Sequence, residues 1–158
     1  MELVRIGLYD RRLISDVYNF LSSLQNEYSN FQDWFYKKVI PGLSNGERMI
    51  YALKDKGAIV ATLILKDAEE KKICTLRVSE KYRRCGWATF LLKVAFRELR
   101  CAKPIITVSS YHIEEFAPLL QKNGFILYKG YLDYYKSGIT EYAFNAPLNE
   151  EISQRACA

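Results

Sequence analysis

The chain has few of the residues that build metal centres and no apolar run long enough to cross a membrane. Its 158 residues include a single histidine, and no two of its four cysteines are spaced as CxxC (Cys74, Cys85, Cys101 and Cys157). We therefore expect free thiols and no metal site. No segment approaches the roughly 18 consecutive apolar residues of a membrane helix. Residues 1–5 also lack the layout of a secretory signal, so we expect a cytoplasmic protein that does not bind a membrane.

Length and composition favour one globular domain. Apolar residues make up 49% of the 158-residue chain, and the sequence contains no repeat or low-complexity segment. We expect a single domain over residues 1–147 and a polar tail over residues 148–158. The net charge of +5 suits either an anionic cofactor or a polyanion such as RNA, and by itself it selects neither.

The most informative segment predicts a strand, a basic turn and a helix in succession. Residues 73–78 are typical of a strand, and residues 87–100 have the apolar period of a helix. Gly86 permits close backbone approach and a positive φ just before the helix, whose first amides lack partners. Arg83 and Arg84 add guanidinium groups to this turn. The segment therefore predicts a site for a phosphate group, with the choice between the two arginines open.

The spacing Arg83-x-x-Gly86-x-Ala88, preceded by Leu76-x-Val78, resembles the acetyl-CoA-binding signature of the GNAT superfamily of N-acetyltransferases. The resemblance implies acetyl-CoA as co-substrate, with the pantetheine arm on the strand backbone and the pyrophosphate in the turn. The cofactor-binding residues that we assign are Leu76, Arg77, Val78, Arg83, Arg84, Cys85, Gly86, Trp87, Ala88 and Ser109.

The order of predicted elements, βααβββαβαββ, is that of the GNAT fold, an α/β architecture with a mostly antiparallel central sheet. In that fold the strand of the motif and the following parallel strand splay apart to admit the pantetheine arm. Here those strands are residues 73–78 and 105–108. The remaining strands are predicted at 2–8, 49–53, 58–65, 125–131 and 140–144, and the helices after Asp10, at 31–39, at 87–100 and around 116–120, with Gly124 closing the last.

Acetyl transfer to an amine requires a neutral nucleophile, a polarised carbonyl and a proton for the departing thiolate. The resemblance places the polarising group at the backbone N–H of Val78. Many family members carry a tyrosine four residues before the glycine that closes the last helix, where this chain has Leu120. A carboxylate serves as base in one branch of the family, and Lys72 lies at about that position. Both usual proton-transfer groups are therefore missing.

Two residues near the expected gap are candidates for these proton transfers. Tyr111 and His112 follow the second splayed strand, and either can move a proton directly or through water. Packing for the tyrosine and a solvated or capping role for the histidine are the alternatives. Ser109 and Ser110 either cap the next helix or contact the cofactor.

Residues 128–136 combine tyrosines with lysines and have two interpretations. They form either a wall that stacks on the acceptor or an edge hairpin whose tyrosines cover the core, and alternation favours the hairpin. Trp34 and Phe35 are predicted to lie in the core.

These features predict an acetyl-CoA-dependent N-acetyltransferase that moves an acetyl group directly to a primary amine. An acyl-CoA-binding pseudoenzyme or regulator is one alternative, because the family tyrosine is replaced at Leu120. An RNA-directed acetyltransferase acting on aminoacyl-tRNA is another, favoured by the basic excess and the tyrosine-lysine loop. The acceptor amine, tRNA as a partner and a homodimer stay open.

Overall fold

The computed structural model describes residues 1–148, in which seven strands form one mixed sheet with helices on both faces. The element order predicted from the sequence is confirmed. The strands are β1 (Glu2–Ile6), β2 (Arg48–Asp55), β3 (Ala58–Asp67), β4 (Lys71–Val78), β5 (Ile105–Ser109), β6 (Leu127–Leu132) and β7 (Thr140–Phe144). The helices are α1 (Arg11–Leu21), α2 (31–42), α3 (Trp87–Leu99) and α4 (Ile113–Lys122), with short 3-10 turns at Ser22–Asn26 and Glu80–Tyr82.

The sheet has the order β1-β2-β3-β4-β5-β7-β6, and one of its neighbouring pairs is parallel. Strands β4 and β5 form that pair, with register only at Lys72↔Ile105 and Ile73↔Ile106. Beyond these positions β4 continues along β3 and β5 continues along β7, each in antiparallel pairing. The predicted separation of the two strands is therefore confirmed, and it opens a gap in the middle of the sheet.

Each face of the sheet carries its own core. Helices α3 and α4 cover one face, where Leu91, Leu92 and Ala95 of α3 are fully buried. Helices α1 and α2 cover the other, with α1 burying residues at the helical spacing Ile14, Val17 and Leu21. Trp34 and Phe35 lie in this second core, as predicted. The gap between β4 and β5 opens towards both faces, because neither core fills it.

Helix α2 extends three residues beyond the predicted span of 31–39 and ends at Gly42, close to the end predicted near Pro41 and Gly42. It consists of α-helical residues Phe31–Trp34, a π-helical turn at Phe35–Val39 and a final segment at Ile40–Gly42. In the wider turn the Ile40 N–H donates to the Phe35 carbonyl, five residues back. The wider turn shifts the backbone hydrogen bonds just before Pro41. A proline otherwise interrupts a helix, because it has no N–H to donate and its ring clashes with the preceding turn.

The strand predicted at 125–131 begins later than expected, at Leu127. Gly124 has φ +86° and closes α4 as predicted, and the Phe125 N–H donates to the Leu120 carbonyl at 2.9 Å. Phe125 therefore belongs to the C-terminal closure of the helix rather than to the strand. Its ring stacks on Phe96 in the core, which explains the apolar residue at this position.

Strand β6 lies at an edge of the sheet, as the hairpin interpretation predicts. Tyr128 and Leu132 are exposed, so they do not cover the core as expected. The residue of this segment that packs inward is Tyr135, whose ring contacts Tyr28 at 5.4 Å.

The cysteines within residues 1–148 are free thiols, at Cys74, Cys85 and Cys101. Cys157 and the predicted tail from residue 149 onward lie outside the described residues. None of the described helices combines the length and apolar character required to cross a membrane.

Candidate active site

A cavity of about 1090 Å³ occupies the gap between β4 and β5. Its walls are these two strands, the loop before α3, the start of α4 and the connector between α1 and α2. The volume lies just above the usual range for small-molecule sites, which is about 300–1,000 Å³. Within residues 1–148, the buried Thr75 hydroxyl on this wall has no hydrogen-bond partner. A polar ligand in the gap would therefore satisfy a group that the fold leaves unpaired.

The free edge of β4 presents backbone groups to this cavity. Val78 is opposite Ala61 of β3, and the next amide, Ser79 N–H, donates to the Val60 carbonyl at 2.8 Å. Successive amides of a strand point to opposite edges, so the Val78 N–H is directed away from β3 and towards the gap. The strand therefore offers an unpaired donor at the position predicted to polarise a carbonyl.

The arginine loop, residues 83–88, is shaped for an anion. Gly86 has φ +82° and Arg84 has φ +59°, so two left-handed residues flank Cys85. Gly86 is the N-cap of α3 without a side-chain cap, and the first helical bond runs from Phe90 N–H to the Gly86 carbonyl. The earlier amides of the helix are left for a ligand, and the helix dipole favours a negative one.

Both arginines of this loop line the cavity. Arg83 reaches across its mouth, with Nη1 at 3.3 Å from a Glu115 carboxylate oxygen on α4 and Nε donating to the Val78 carbonyl at 3.3 Å. The ion pair is partly exposed, with 39% of the Arg83 side chain accessible, so it is weak enough for a phosphate to replace it.

The structure brings most of the predicted cofactor residues to the cavity wall. Those that line it are Leu76, Arg77, Val78, Arg83, Arg84, Gly86, Ala88 and Ser109. Cys85 is exposed and Trp87 packs edge-on against Phe90, and neither is among the described lining residues.

The two catalytic candidates separate in the structure. His112 lines the cavity, whereas Tyr111 is 61% exposed and is not among the described lining residues. His112 Nε2 lies 2.6 Å from Glu27 Oε1, and the Ser109 hydroxyl donates to Glu27 Oε2 at 3.5 Å. His112 itself is the N-cap of α4 and no side chain caps that helix, so the capping interpretation of the two serines is wrong.

A second pair of titratable groups lies beside the first. The Tyr28 hydroxyl donates to Glu141 Oε1 at 3.1 Å, and the glutamate, on β7, is 2% exposed. Burial raises the pKa of Glu141 to about 7, although the Tyr28 hydrogen bond favours the ionised form. We refer to Glu27, Tyr28, Ser109 and His112, with Glu141 behind them, as the carboxylate end of the cavity.

A match to a protein-family model identifies the family of this chain. The model of the acetyltransferase (GNAT) family matches residues 12–117, more than half of the chain and both strands of the gap. The chain belongs to the GNAT acetyltransferase family. No curated protein sequence matches it.

Solved GNAT structures share the fold at low sequence identity. An aminoglycoside 6'-N-acetyltransferase in complex with coenzyme A superposes with a TM-score of 0.69 at 12% identity, covering 94% of this chain and 99% of that one. The aminoglycoside 6'-N-acetyltransferase from Enterococcus faecium gives 0.68 at 11% identity, with the same coverage. A GNAT family acetyltransferase from Elizabethkingia anophelis with acetyl-CoA bound gives 0.53 at 18% identity, covering 70% and 83%.

The two positions that lack the usual GNAT proton-transfer groups are closed to solvent. Leu120, which replaces the family tyrosine, is fully buried among apolar residues of the α3–α4 core. Lys72 is also fully buried, and its ammonium donates to the Tyr135 hydroxyl at 3.3 Å. Neither side chain offers a proton donor or acceptor to the GNAT cavity.

Sequence reasoning missed Glu27, Tyr28 and Glu141. The first two lie between predicted helices without a motif of their own. Glu141 lies two residues before the buried Ala143, so both side chains point to the inward face of a predicted strand. A charged residue at an inward position of the strand was the one feature of the sequence that could have identified Glu141.

Proposed function

We propose that this GNAT protein is an acetyl-CoA-dependent N-acetyltransferase that transfers the acetyl group directly to a primary amine. The observation that carries the proposal is the gap between β4 and β5, which ends in the arginine loop at the start of α3. The gap supplies unpaired strand amides, and the loop supplies unpaired helix amides with two guanidinium groups. A ligand with an amide-bearing arm and a pyrophosphate matches both.

The residues present fit acetyl-CoA, which supplies an activated thioester when it is bound. The arginine loop would hold the pyrophosphate, and the backbone of Leu76 to Val78 would pair with the pantetheine amides. The Val78 N–H is directed into the gap, where it would donate to the thioester oxygen and stabilise the negative charge that develops there. The coenzyme A and acetyl-CoA complexes of the structural neighbours support this assignment.

The carboxylate end would receive the amine. The Glu27 carboxylate favours the approach of a cation, and the His112 imidazole beside it can accept the proton that the nitrogen must lose. Because Nε2 faces Glu27, that carboxylate holds the ring in one orientation. Tyr111 stays a sequence-based candidate for the same role.

Calorimetry followed by a turnover assay tests the proposal. Acetyl-CoA is titrated into the protein, and free thiol release is then measured with a panel of aminoglycosides, polyamines and amino-acid amines. We expect binding together with amine-dependent thiol release, and transfer by a ternary complex predicts intersecting lines in initial-rate plots. Binding without turnover on every amine would instead support the acyl-CoA-binding pseudoenzyme, and the absence of binding would refute both.

The predictions of tRNA as a partner, of a homodimer and of a cytoplasmic location stay predictions. Retention of tRNA at low salt, lost on raising the salt, is the measurement for the first.

A further inference from the structure

The pair formed by Tyr28 and Glu141 belongs to the carboxylate end, but the proposed function gives neither side chain a proton-transfer role. Tyr28 is 8% exposed and lines the cavity, and its hydroxyl donates to a glutamate that is almost completely buried. Burying a carboxylate is costly unless it is paired, and here the direct partner is a neutral phenol. Such a pair on a cavity wall is a candidate for proton transfer.

The position of the pair relates it to His112. Glu27 and Tyr28 are consecutive residues, and the first contacts His112 while the second contacts Glu141. Ser109 of β5, which donates to Glu27, is the direct cross-strand partner of Glu141 on β7. The two pairs therefore stand side by side at one end of the cavity, where transfer of an acyl group from sulfur to nitrogen requires two proton movements.

On the basis of the proposed function, we propose that the Tyr28 hydroxyl, supported by Glu141, protonates the thiolate that leaves during acetyl transfer. The acceptor nitrogen forms a bond to the acetyl carbon, the carbon–sulfur bond breaks, and its electron pair stays on sulfur. When Glu141 is protonated, its carboxyl donates to the Tyr28 oxygen across the same 3.1 Å contact, which frees the Tyr28 proton to form the S–H bond. The Glu141 proton then replaces the one that Tyr28 lost, and Glu141 regains a proton from water. The nitrogen gives its proton to His112, so one proton is released for each one consumed.

The charges around Glu141 are consistent with this role. Burial raises its pKa to about 7, the Lys72 ammonium opposes that rise, and the Glu27 carboxylate adds to it. Tyr135 lies between Lys72 and Tyr28 and donates to neither carboxylate in the described hydrogen bonds. Burial also raises the pKa of Tyr28, so the phenol keeps its proton until a stronger base forms nearby. Near neutral pH, therefore, Tyr28 is protonated and a large fraction of Glu141 is an acid.

Replacing each of two neighbouring tyrosines tests the proposal, because Tyr28 and Tyr135 belong to the same aromatic cluster. Tyr28→Phe is expected to lower kcat about 100-fold, with the Kd for acetyl-CoA and the melting temperature little changed. Tyr135→Phe is the control: it also removes a buried hydroxyl, on a residue that is not among the described residues lining the cavity. Because that hydroxyl accepts from the buried Lys72 ammonium, its loss is expected to lower the melting temperature rather than kcat. The kcat of this variant is expected to stay within about twofold of the parent.

A readout that does not depend on turnover uses 3,5-difluorotyrosine, which retains the hydroxyl. With this residue at position 28, titration with coenzyme A is expected to shift the fluorine resonance, whereas the same label at position 135 is expected to stay nearly constant. A full-rate Tyr28→Phe variant, or a fluorine signal at position 28 that does not respond to saturating coenzyme A, overturns the proposal. If the parent protein binds acetyl-CoA but acetylates no amine, the proposed function fails, and the fluorine titration still decides whether Tyr28 meets the thiol.

Discussion

The arginine loop and the carboxylate end bound the same cavity, yet they are assembled in different ways. The arginine loop consists of six consecutive residues, 83–88, whose backbone turns into the first amides of α3. The carboxylate end joins Glu27 to His112, 85 positions apart, and Tyr28 to Glu141, 113 positions apart. A site built from adjacent residues leaves a pattern in the sequence, whereas one built from distant segments exists only after the sheet has formed.

Under the proposed function, the arginine loop binds the cofactor and the carboxylate end takes part in proton transfer. His112→Ala is expected to have the largest effect among the variants that separate these two roles. Removing the imidazole is expected to lower kcat by about 100-fold or more, because under the proposed function His112 takes up the proton of the amine. The Kd for acetyl-CoA, measured by calorimetry, should stay unchanged. A larger loss of kcat in Tyr111→Phe than in His112→Ala would transfer the role to the exposed tyrosine.

Gly86→Glu tests the other end. It places a carboxylate where the phosphates would lie and strains a residue with φ +82°, so the affinity for acetyl-CoA is expected to fall about 100-fold or more. Gly57→Glu is the matched control, since Gly57 also has a positive φ and open space around its Cα but lies in the β2–β3 turn. Equal affinity in the two variants would contradict the assignment of the arginine loop.

Glu141→Gln tests whether the buried carboxylate titrates as its surroundings imply. Its pKa rises from 4.5 in the unfolded chain to about 7 in the folded one, so the folded state holds the proton more tightly. Stability contributed by this group is therefore present below pH 4.5 and lost as the pH rises to about 7, by about 3 kcal/mol.

Urea unfolding at pH 5 and pH 8 measures this effect. Glu141→Gln should flatten the pH dependence relative to the parent, while Glu69→Gln, at an exposed glutamate, should leave it unchanged. The same slope in all three proteins would mean that Glu141 titrates as an ordinary exposed carboxylate.

The smallest expected effect concerns the ion pair across the cavity mouth. Glu115→Gln removes the ion-pair partner of Arg83 and frees its guanidinium for a phosphate, so acetyl-CoA should bind about threefold more tightly. The gain should disappear in the Arg83→Ala background, which a double-mutant cycle by calorimetry measures. A gain that persists there would show that the contact between the two side chains is unrelated to binding.

Local patterns were sufficient for most of the fold. Alternation and turn residues located β2, β3 and β4, and the apolar period of α3 located the helix that carries the loop. The predicted bounds differed from the structure where irregular backbone bonds decide the outcome: the π-helical turn that extends α2 from the predicted residue 39 to Gly42, and the closing bond of α4 that removes Phe125 from β6.

For the site as well, some residues could be predicted from local patterns in the sequence and others could not. The lining residues of the arginine loop and the last three of β4, Leu76, Arg77 and Val78, were predicted from the motif and its spacing, whereas the lining residues Ile73, Cys74 and Thr75 of the same strand were not. Glu27, Tyr28 and Glu141 were not, because nothing near them in the chain distinguishes them from other polar residues. His112 was named as a candidate, but its partner Glu27 was not.

By itself the sequence determined the family and the order of elements, and it located the turn that we propose binds a phosphate, because these depend on periodicity, turn chemistry and residues within one loop of each other. Only the tertiary structure decided which titratable groups share the cavity. The separation of β4 from β5 opens the cavity. The connector between α1 and α2 then places Glu27 beside His112 and Tyr28 beside Glu141. Contacts between such distant segments follow from the packing of the whole sheet and its helices.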